Sequence, residues 1–430
     1  MTTLSAQPYK GTRDYYPEQK QLQNYIFSIW RKVVESFGYE EYGAPLLEPL
    51  ELYAAKSGQE LVNDQTYTFN DRGGRTVAVR PEMTPSISRM VAARRQELAY
   101  PARLYSIANF MRYERPQRGR EREFWQLNVD IFGVDNIRAE SEIIFMADSI
   151  LKEFGATDSD YKIRINHRKL INYVMAQYLC LDQIEAQKMI KLFDRKDKIS
   201  QEDFESQVLS ICQSKDGNEI LNKINILINA KSMNDLPDSI KQSTAVEEIQ
   251  RLFTRLEKFG VKSAVFDITL MRGLDYYTGT VFEVFDTHPD NNRAMFGGGR
   301  YDGLVGLFGV DPISAVGMAP GETMFENFLT VHNLIPDFKS HTDLYVILLP
   351  GSENDYHDVV KALRAQGLNV EVDISGKKAD KQIKTAVKKR INYIISIGGN
   401  EIKTNQYPIK NLSNGQTSTV LLNDVSSAIH

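Results

Sequence analysis

The sequence predicts an α+β protein built as a domain on a mostly antiparallel sheet, a helical insertion within that domain, and a C-terminal α/β domain. Three observations carry this. Short runs rich in β-branched and aromatic residues fill the region 66–132 and return at 262–318. Between them, residues 169–257 are rich in charge, poor in strand formers and spaced like amphipathic helices. After residue 340, "DLYVILLP", "YHDVVKALRAQG", "LNVEVDI", "KKADKQIKTAVKKR" and "INYIISIG" alternate strand and helix, the order of a small layered unit with parallel strands. A length of 430 residues exceeds that of a usual single domain, which agrees with such a division.

In chain order, "QKQLQNYIFSIWRKVVESFGY" has apolar positions at helical spacing and stops near Gly38. "TYTFNDRGGRTVAVR" reads as two short strands around a turn at Gly73 and Gly74. "ARLYSIANFMRYE" and "FWQLNVDIFG" read as partner strands, so that "MRYERPQRGREREFW" becomes the long loop of their hairpin. A helix is expected over 138–154, followed by the strand "YKIRINH". Past the helical block, "KSAVFDITL", "YYTGTVFEVFD" and "ISAVGMAP" complete the sheet.

Composition excludes several classes. The two cysteines, Cys180 and Cys212, can build neither a disulfide framework nor a four-ligand metal site, and the six histidines form no spaced ligand pair, so no metal site is expected. No long apolar run suggests a membrane span, and the opening "MTTLSAQPYKGTRDYYPEQ" lacks a basic-then-apolar signal, which favours a cytoplasmic protein. A net charge of -4 argues against a wholesale nucleic-acid coat but leaves room for local basic patches.

The hairpin loop 111–125 is the densest of these patches, with five arginines and three glutamates. Guanidinium forks suit phosphate oxygens, and the glutamates can hold the forks apart, accept from a ligand amine or neutralise their neighbours; the same composition also fits a solvated hairpin tip. "RGLDYYTGTVFE" places Arg272 near Tyr276 and Tyr277 in an apparent strand, where adjacent side chains point to opposite faces. "MFGGGRYDGLVGLFG" adds three glycines that admit either a ligand at the backbone or a tight turn, with Arg300 and Asp302 beside them. Neither resembles a Walker A loop or a dinucleotide fingerprint. "VRPEMTPSISR" puts Glu82 and Thr84 on one face if the backbone is extended, a pairing suited to an amino group or an imidazole N–H. Gln126, Asn128 and Asp130 share one face of the strand "QLNVD".

The blocks "GTRDYYPEQ", "FGYEEYGAPLLEP", "TYTFNDRGGRTVAVRPEMT", "FMRYERPQRGREREFWQLNVDIFG", "INHRKL", "RGLDYYTGTVFE" and "GGGRYDGLV" together resemble histidyl-tRNA synthetases, which are class II aminoacyl-tRNA synthetases, over almost the whole chain. The resemblance implies a class II catalytic domain over 1–168 and 258–330, a helical insertion domain over 169–257 and an anticodon-binding α/β domain over 340–430. It implies ligation of L-histidine to tRNA(His) through a histidyl-adenylate, with ATP and Mg2+ as reactants, no tightly bound cofactor, and a cytoplasmic homodimer formed through the block that holds Pro45. By the same likeness Arg112 contacts the ATP α-phosphate, Glu114 and Arg120 bind the nucleotide, and Arg272 supplies charge between the α-phosphate and the histidine carboxylate. Arg112 and Arg272 thus carry the catalytic assignment. Glu82, Thr84, Gln126, Asp130, Tyr276 and Tyr277 are similar to the residues around the substrate histidine, although Asp130 stands where a glutamate is often found and reaches less far.

The chain also departs from the family pattern. "AVGMAPGETMFENFL" has no arginine at or beside Thr323 or Met324, where one would clamp the triphosphate; Arg300, Arg120 or the helix start near Glu322 could compensate. The family includes non-ligating paralogues that serve as regulatory subunits in histidine biosynthesis, and these commonly lack the C-terminal domain. Here that domain is kept, and residues 377–390 carry seven basic residues against the single acid Asp380, a pattern expected of an RNA-facing surface or of a solvated helix face.

Overall fold

A computed structural model describes residues 4–54, 64–115, 119–196, 199–212, 216–271, 276–291, 293–352 and 355–429. The chain divides into two compact units, Met1–Ile335 and Pro336–His430.

The first unit opens with helix α1 (Pro17–Ser36), begun by a proline whose missing N–H costs nothing at a helix start. Its buried Ile26, Trp30, Val33 and Val34 recur at helical spacing. Strands β1 (Glu40–Glu41) and β2 (Leu47–Pro49), helix α2 (Leu50–Ala54), strands β3 (Thr68–Asn70) and β4 (Thr76–Val79) and helix α3 (Thr84–Ala93) follow. The hairpin strands are β5 (Ala102–Met111) and β6 (Glu123–Phe132), then come α4 (Arg138–Glu153) and β7 (Tyr161–His167). Helices α5 (Arg168–Tyr173), α6 (Gln183–Asp194), α7 (Gln201–Ile211), α8 (Gly217–Asn229), α9 (Asp238–Lys241) and α10 (Thr244–Lys258) separate β7 from β8 (Ala264–Phe266). They are locally specified: α6 starts at a capping box in which Asp182 and Glu185 satisfy each other's backbone N–H groups. Strands β9 (Thr280–Asp286), β10 (Ala294–Arg300) and β11 (Ala315–Met318) and helix α11 (Glu322–Val331) close the unit.

An eight-stranded sheet has the order β1-β5-β6-β11-β10-β9-β7-β8, antiparallel except for the parallel end pairs β1·β5 and β7·β8. A separate small sheet has the order β2-β4-β3. Leu127, Val129 and Ile131 of β6, Phe282 and Val284 of β9 and Val316 of β11 share one face and pack against Trp30, Ile143, Ile144, Ile150, Phe325 and Phe328 from α1, α4 and α11. The alternate residues of the same strands face the other way, toward the front. Burying one face under three helices therefore dedicates the opposite face to other chemistry.

The second unit holds β12 (Leu344–Leu348), α12 (Tyr356–Ala365), β13 (Val370–Val372), α13 (Ala379–Lys388), β14 (Tyr393–Ile397), α14 (Gly399–Thr404), β15 (Gln406–Asn411), β16 (Thr417–Leu421) and α15 (Val425–Ile429). Its sheet, β13-β12-β14-β15-β16, is parallel over the three strands expected from the sequence and is extended by two antiparallel strands, β15 and β16. The antiparallel addition comes from β15 and β16, which pair as a hairpin, with the short α14 reversing the chain before β15.

Arg300 corrects one expectation. Its Nε and Nη2 donate to both oxygens of Glu140 at 2.6 and 2.8 Å, and its Nη groups also reach the Val134 and Asn136 carbonyls at 2.9 and 3.1 Å. It therefore ties the end of β10 to the start of α4 and offers no free charge to a ligand. Arg300→Met should leave the buried Glu140 unpaired and cost about 3–5 kcal/mol of stability. Both tryptophans, Trp30 and Trp125, lie in the first unit, so urea denaturation followed by their fluorescence reads this directly. A loss below about 1 kcal/mol, the range of a surface pair, would contradict the structural role.

Candidate functional site

The site forms on the front of the large sheet. In β6, Gln126, Asn128 and Asp130 pair with Ala108, Ser106 and Leu104 of β5, and Asp130 pairs with Gly317 of β11, which pairs with Gly299 of β10. Directly paired residues share a face, so the polar row is continuous with a glycine floor. Gly317 has a specific reason to be glycine: a Cβ there would collide with the Asp130 carboxylate lying across it. The other glycines serve packing. A Cβ at Gly299 would come within 2.9 Å of the Tyr277 ring, and one at Gly298 within 2.9 Å of Phe282. At each a Cβ would first meet backbone, the Gly317 carbonyl at Gly298 and the Thr280 carbonyl at Gly299, so these glycines let neighbouring backbone as well as the rings approach the strand.

Asp130 is buried and accepts a short hydrogen bond from the Tyr301 hydroxyl. Burial pushes its carboxyl up to about 7, against the opposing effect of the Tyr301 hydrogen bond. The ring of Tyr276 lies 5.9 Å from Tyr301 and 5.0 Å from Tyr277. The two adjacent tyrosines precede β9 rather than lying in a strand, so they sit side by side instead of on opposite faces. Tyr42 and Ser106 face each other nearby, and among the described residues neither the Tyr42 Oη nor the Ser106 Oγ has a hydrogen-bond partner of good geometry. Buried hydroxyls in that state are positioned to receive a polar ligand or water.

Glu82 and Thr84 do not share an extended face. Residues 81–83 form a bend and Thr84 begins α3, because Pro85 suits the first turn of a helix. Glu82 is buried, and its neighbour Met83 packs on Ala108 and Phe110, which puts the bend over the front of β5. Gln126 donates to the Ala319 carbonyl at 3.1 Å, fixing the side chain near the end of β11.

Arg112 sits just past β5, where its Nε donates to the Pro81 carbonyl at 2.9 Å and its guanidinium lies 5.2 Å from the Phe124 ring. It makes no ion pair among the described residues, so its outer N–H groups are open to an anion. The structure brings Glu114 and Arg120 together at 3.2 Å across the base of the loop. Arg272 lies outside the described residues.

Reading the sequence missed Tyr301, Tyr42 and Ser106 in the pocket, and Arg13 and Tyr15 beside the loop. Tyr301 stands two positions after the glycine run, and Arg13 and Tyr15 stand in "GTRDYYPEQ", so a signal existed, but nothing local says that these residues meet β6 and α11.

In the second unit all seven basic residues of 377–390 are exposed, while Gln382 and Ala386 turn inward. Only Lys389 forms an ion pair among the described residues, with Glu371. Among the described residues no group of His, Cys, Asp and Glu is placed to hold a metal ion, and no helix is long and apolar enough to cross a membrane.

Comparison with known proteins gives consistent results. Residues 11–321 match the family described as Histidyl-tRNA synthetase, and residues 343–430 match that described as Anticodon binding domain. The chain is 43% identical over 414 residues to the histidine--tRNA ligase of Leptospira biflexa, covering 95% of this chain and 94% of that protein. It is 35% identical to the histidine--tRNA ligase of Halobacterium salinarum, over 95% of this chain and 94% of that one. In fold it is similar to the crystal structure of histidyl-tRNA synthetase from Nostoc sp. PCC 7120, with a TM-score of 0.83, 23% identity and 99% of both chains covered. A Bacillus halodurans structure described as an ATP phosphoribosyltransferase regulatory subunit/histidyl-tRNA synthetase superposes with a TM-score of 0.75 at 22% identity, over 93% of this chain and 100% of that one.

The buried carboxyl makes a pH prediction. A group whose folded pKa lies above its unfolded value contributes stability at low pH and loses it as pH rises to the folded value. For Asp130 that window runs from the ordinary aspartate range of about 4 up to about 7. Asp130→Asn, neutral throughout, should therefore lose less thermal stability than the unsubstituted chain as pH rises through this window. Parallel melting curves against pH would assign the titration elsewhere.

Proposed function

The chain belongs to the histidyl-tRNA synthetase family, and from that premise we propose that it ligates L-histidine to tRNA(His) with ATP, through a histidyl-adenylate. The observation that carries the reading is the front face itself, which gathers a carboxyl, three tyrosines and, just past β5, an arginine with no ion pair among the described residues. We assign the imidazole to Asp130 with Tyr276, Tyr277 and Tyr301, and the α-amino group to Glu82, Thr84 and Gln126. A carboxylic acid and a phenol can each donate or accept, as an imidazole requires on its two different nitrogens. Arg112 faces the α-phosphate, and Glu114 and Arg120 hold the nucleotide. Arg272 is assigned to the charge that gathers between the histidine carboxylate and the α-phosphate.

In this reading the histidine carboxylate attacks the α-phosphorus and pyrophosphate leaves. The terminal ribose hydroxyl of the tRNA then attacks the histidyl carbonyl and AMP departs. Mg2+ enters with ATP as its counter-ion and balances the pyrophosphate charge. Arginines fixed before the reaction stabilise the negative charge on the phosphoryl oxygens without reorganising. The cations of 377–390 contact tRNA phosphates and position the RNA without defining the chemistry. A cytoplasmic homodimer completes the proposal.

The purified chain should exchange pyrophosphate into ATP with histidine and not with other amino acids. Exchange with histidine no greater than in an amino-acid-free control, from a folded protein, would favour a regulatory protein instead. A chain ended at Ile335, the limit of the first unit, should keep adenylate formation while charging tRNA far more slowly at the same salt concentration. Equal charging by both lengths would remove the C-terminal unit from tRNA binding and leave the catalytic assignment standing.

A further inference from the structure

We infer that Arg13 is a positioning residue for ATP, holding residues 119–122, where the loop returns to β6, against the head of α11; the inference rests on the reading of that loop as the nucleotide grip. The N-terminal segment reaches this place by crossing the root of the loop. The Arg122 backbone N–H donates to the Gly11 carbonyl at 2.6 Å, and Arg122 Nη1 donates to the Tyr9 hydroxyl at 3.0 Å. The Arg122 guanidinium also lies 5.4 Å from the Tyr9 ring, so the segment is seated on the loop before it turns toward α11.

Arg13 then supplies the charged tie between the loop and α11. Its Nη1 donates to Glu326 at 2.6 Å and its Nη2 to Glu322 at 2.8 Å, one turn apart on α11. Its Nε lies 3.4 Å from Glu121 of the loop, a charge contact rather than a hydrogen bond. The Tyr15 ring lies 4.5 Å from the guanidinium, and its hydroxyl donates to the second Glu322 oxygen at 3.0 Å. On the loop side, Gly119 adopts φ +78° and lies so close to Met324 that a Cβ would collide with the sulfur, while Thr323 approaches Glu121 at 3.5 Å.

The electrostatics give Arg13 its leverage. Glu121, Glu322 and Glu326 converge on a single guanidinium, and burial raises the carboxyl pKa of both Glu322 and Glu121. With the cation in place, the loop carboxylate is drawn toward the helix. Without it, Glu121, Glu322 and Glu326 are left close together with no counter-charge, so that they either repel one another or take up protons, and in both cases nothing draws the loop, with Arg120 next to Glu121, toward the helix. Among the described residues Arg13 pairs with Glu121, Glu322 and Glu326, and none of these is assigned to histidine. Loss of Arg13 should therefore act on ATP and spare histidine.

The test is histidine-dependent pyrophosphate exchange by the full chain, with KM determined for each substrate. Arg13→Met should raise KM for ATP about tenfold or more and leave KM for histidine within about twofold. Adding Glu121→Gln to Arg13→Met should recover much of the ATP affinity, because it removes the repulsion without restoring the cation. Arg13→Lys, which keeps the charge but loses the fork, should fall between. An unchanged KM for ATP, an equal rise for both substrates, or no recovery in the double variant would overturn the inference. If Arg13→Met fails to fold, Arg13→Lys and Glu121→Gln weaken the same tie, and each must raise KM for ATP selectively. An unsubstituted chain that shows no exchange sinks the functional reading and this inference together, whereas normal exchange with an insensitive Arg13→Met sinks the inference alone.

Discussion

The Asp130 carboxyl lying across Gly317 and held by the Tyr301 hydroxyl is the constraint on which the candidate site depends. A buried carboxyl needs a partner, a space and a reason not to ionise freely. Tyr301 is the partner, Gly317 leaves the space, and burial holds the proton. The register makes this possible, since β6, β11 and β10 bring Asp130, Gly317 and Gly299 into one line. A slip of one residue in that pairing would turn the polar row of β6 into the helix-packed core and expose Leu127, Val129 and Ile131 in its place. The apolar back face thus specifies the polar front.

Two arginines show how placement decides function for one residue type. Arg300 ends β10 with its fork matched to Glu140 and to two backbone carbonyls, and its charge is spent on joining sheet to helix. Arg112 ends β5 with its Nε on a carbonyl and its remaining donors unmatched by any carboxylate among the described residues. One is a fastener and the other is placed as an anion grip, although both stand at the end of a strand.

Much of the fold was legible because it is locally encoded. The heptad-like burial of α1, the turn between β3 and β4 and the long β5–β6 hairpin follow from periodicity and turn residues. The helices after β7 announced themselves through charge and missing strand formers. What failed depended on backbone detail or distance. The expected shared face of Glu82 and Thr84 assumed an extended backbone where Pro85 instead starts a helix. Tyr276 and Tyr277 were read as strand residues, but the strand begins at Thr280. Tyr42, Ser106 and Tyr301 could not be joined to Asp130 without knowing the strand order, and Arg13 meets Glu322 across more than 300 positions of sequence.

Methionine at position 324 gives that last contact its weight. A cation on the first turn of α11 would be fixed by a helix whose Phe325 and Phe328 are fully buried, and it would keep its place whatever the loop did. Here the Met324 sulfur meets the loop at Gly119 instead, and the arginines assigned to the nucleotide's phosphates near this end of the site, Arg112 and Arg120, belong to the loop or its root. Charges carried on a loop are only as well placed as the loop itself. Moving the cation from the helix to the loop therefore shifts the structural burden from a residue that touches phosphate to the contacts that seat the loop. In this chain those contacts converge on the guanidinium of Arg13.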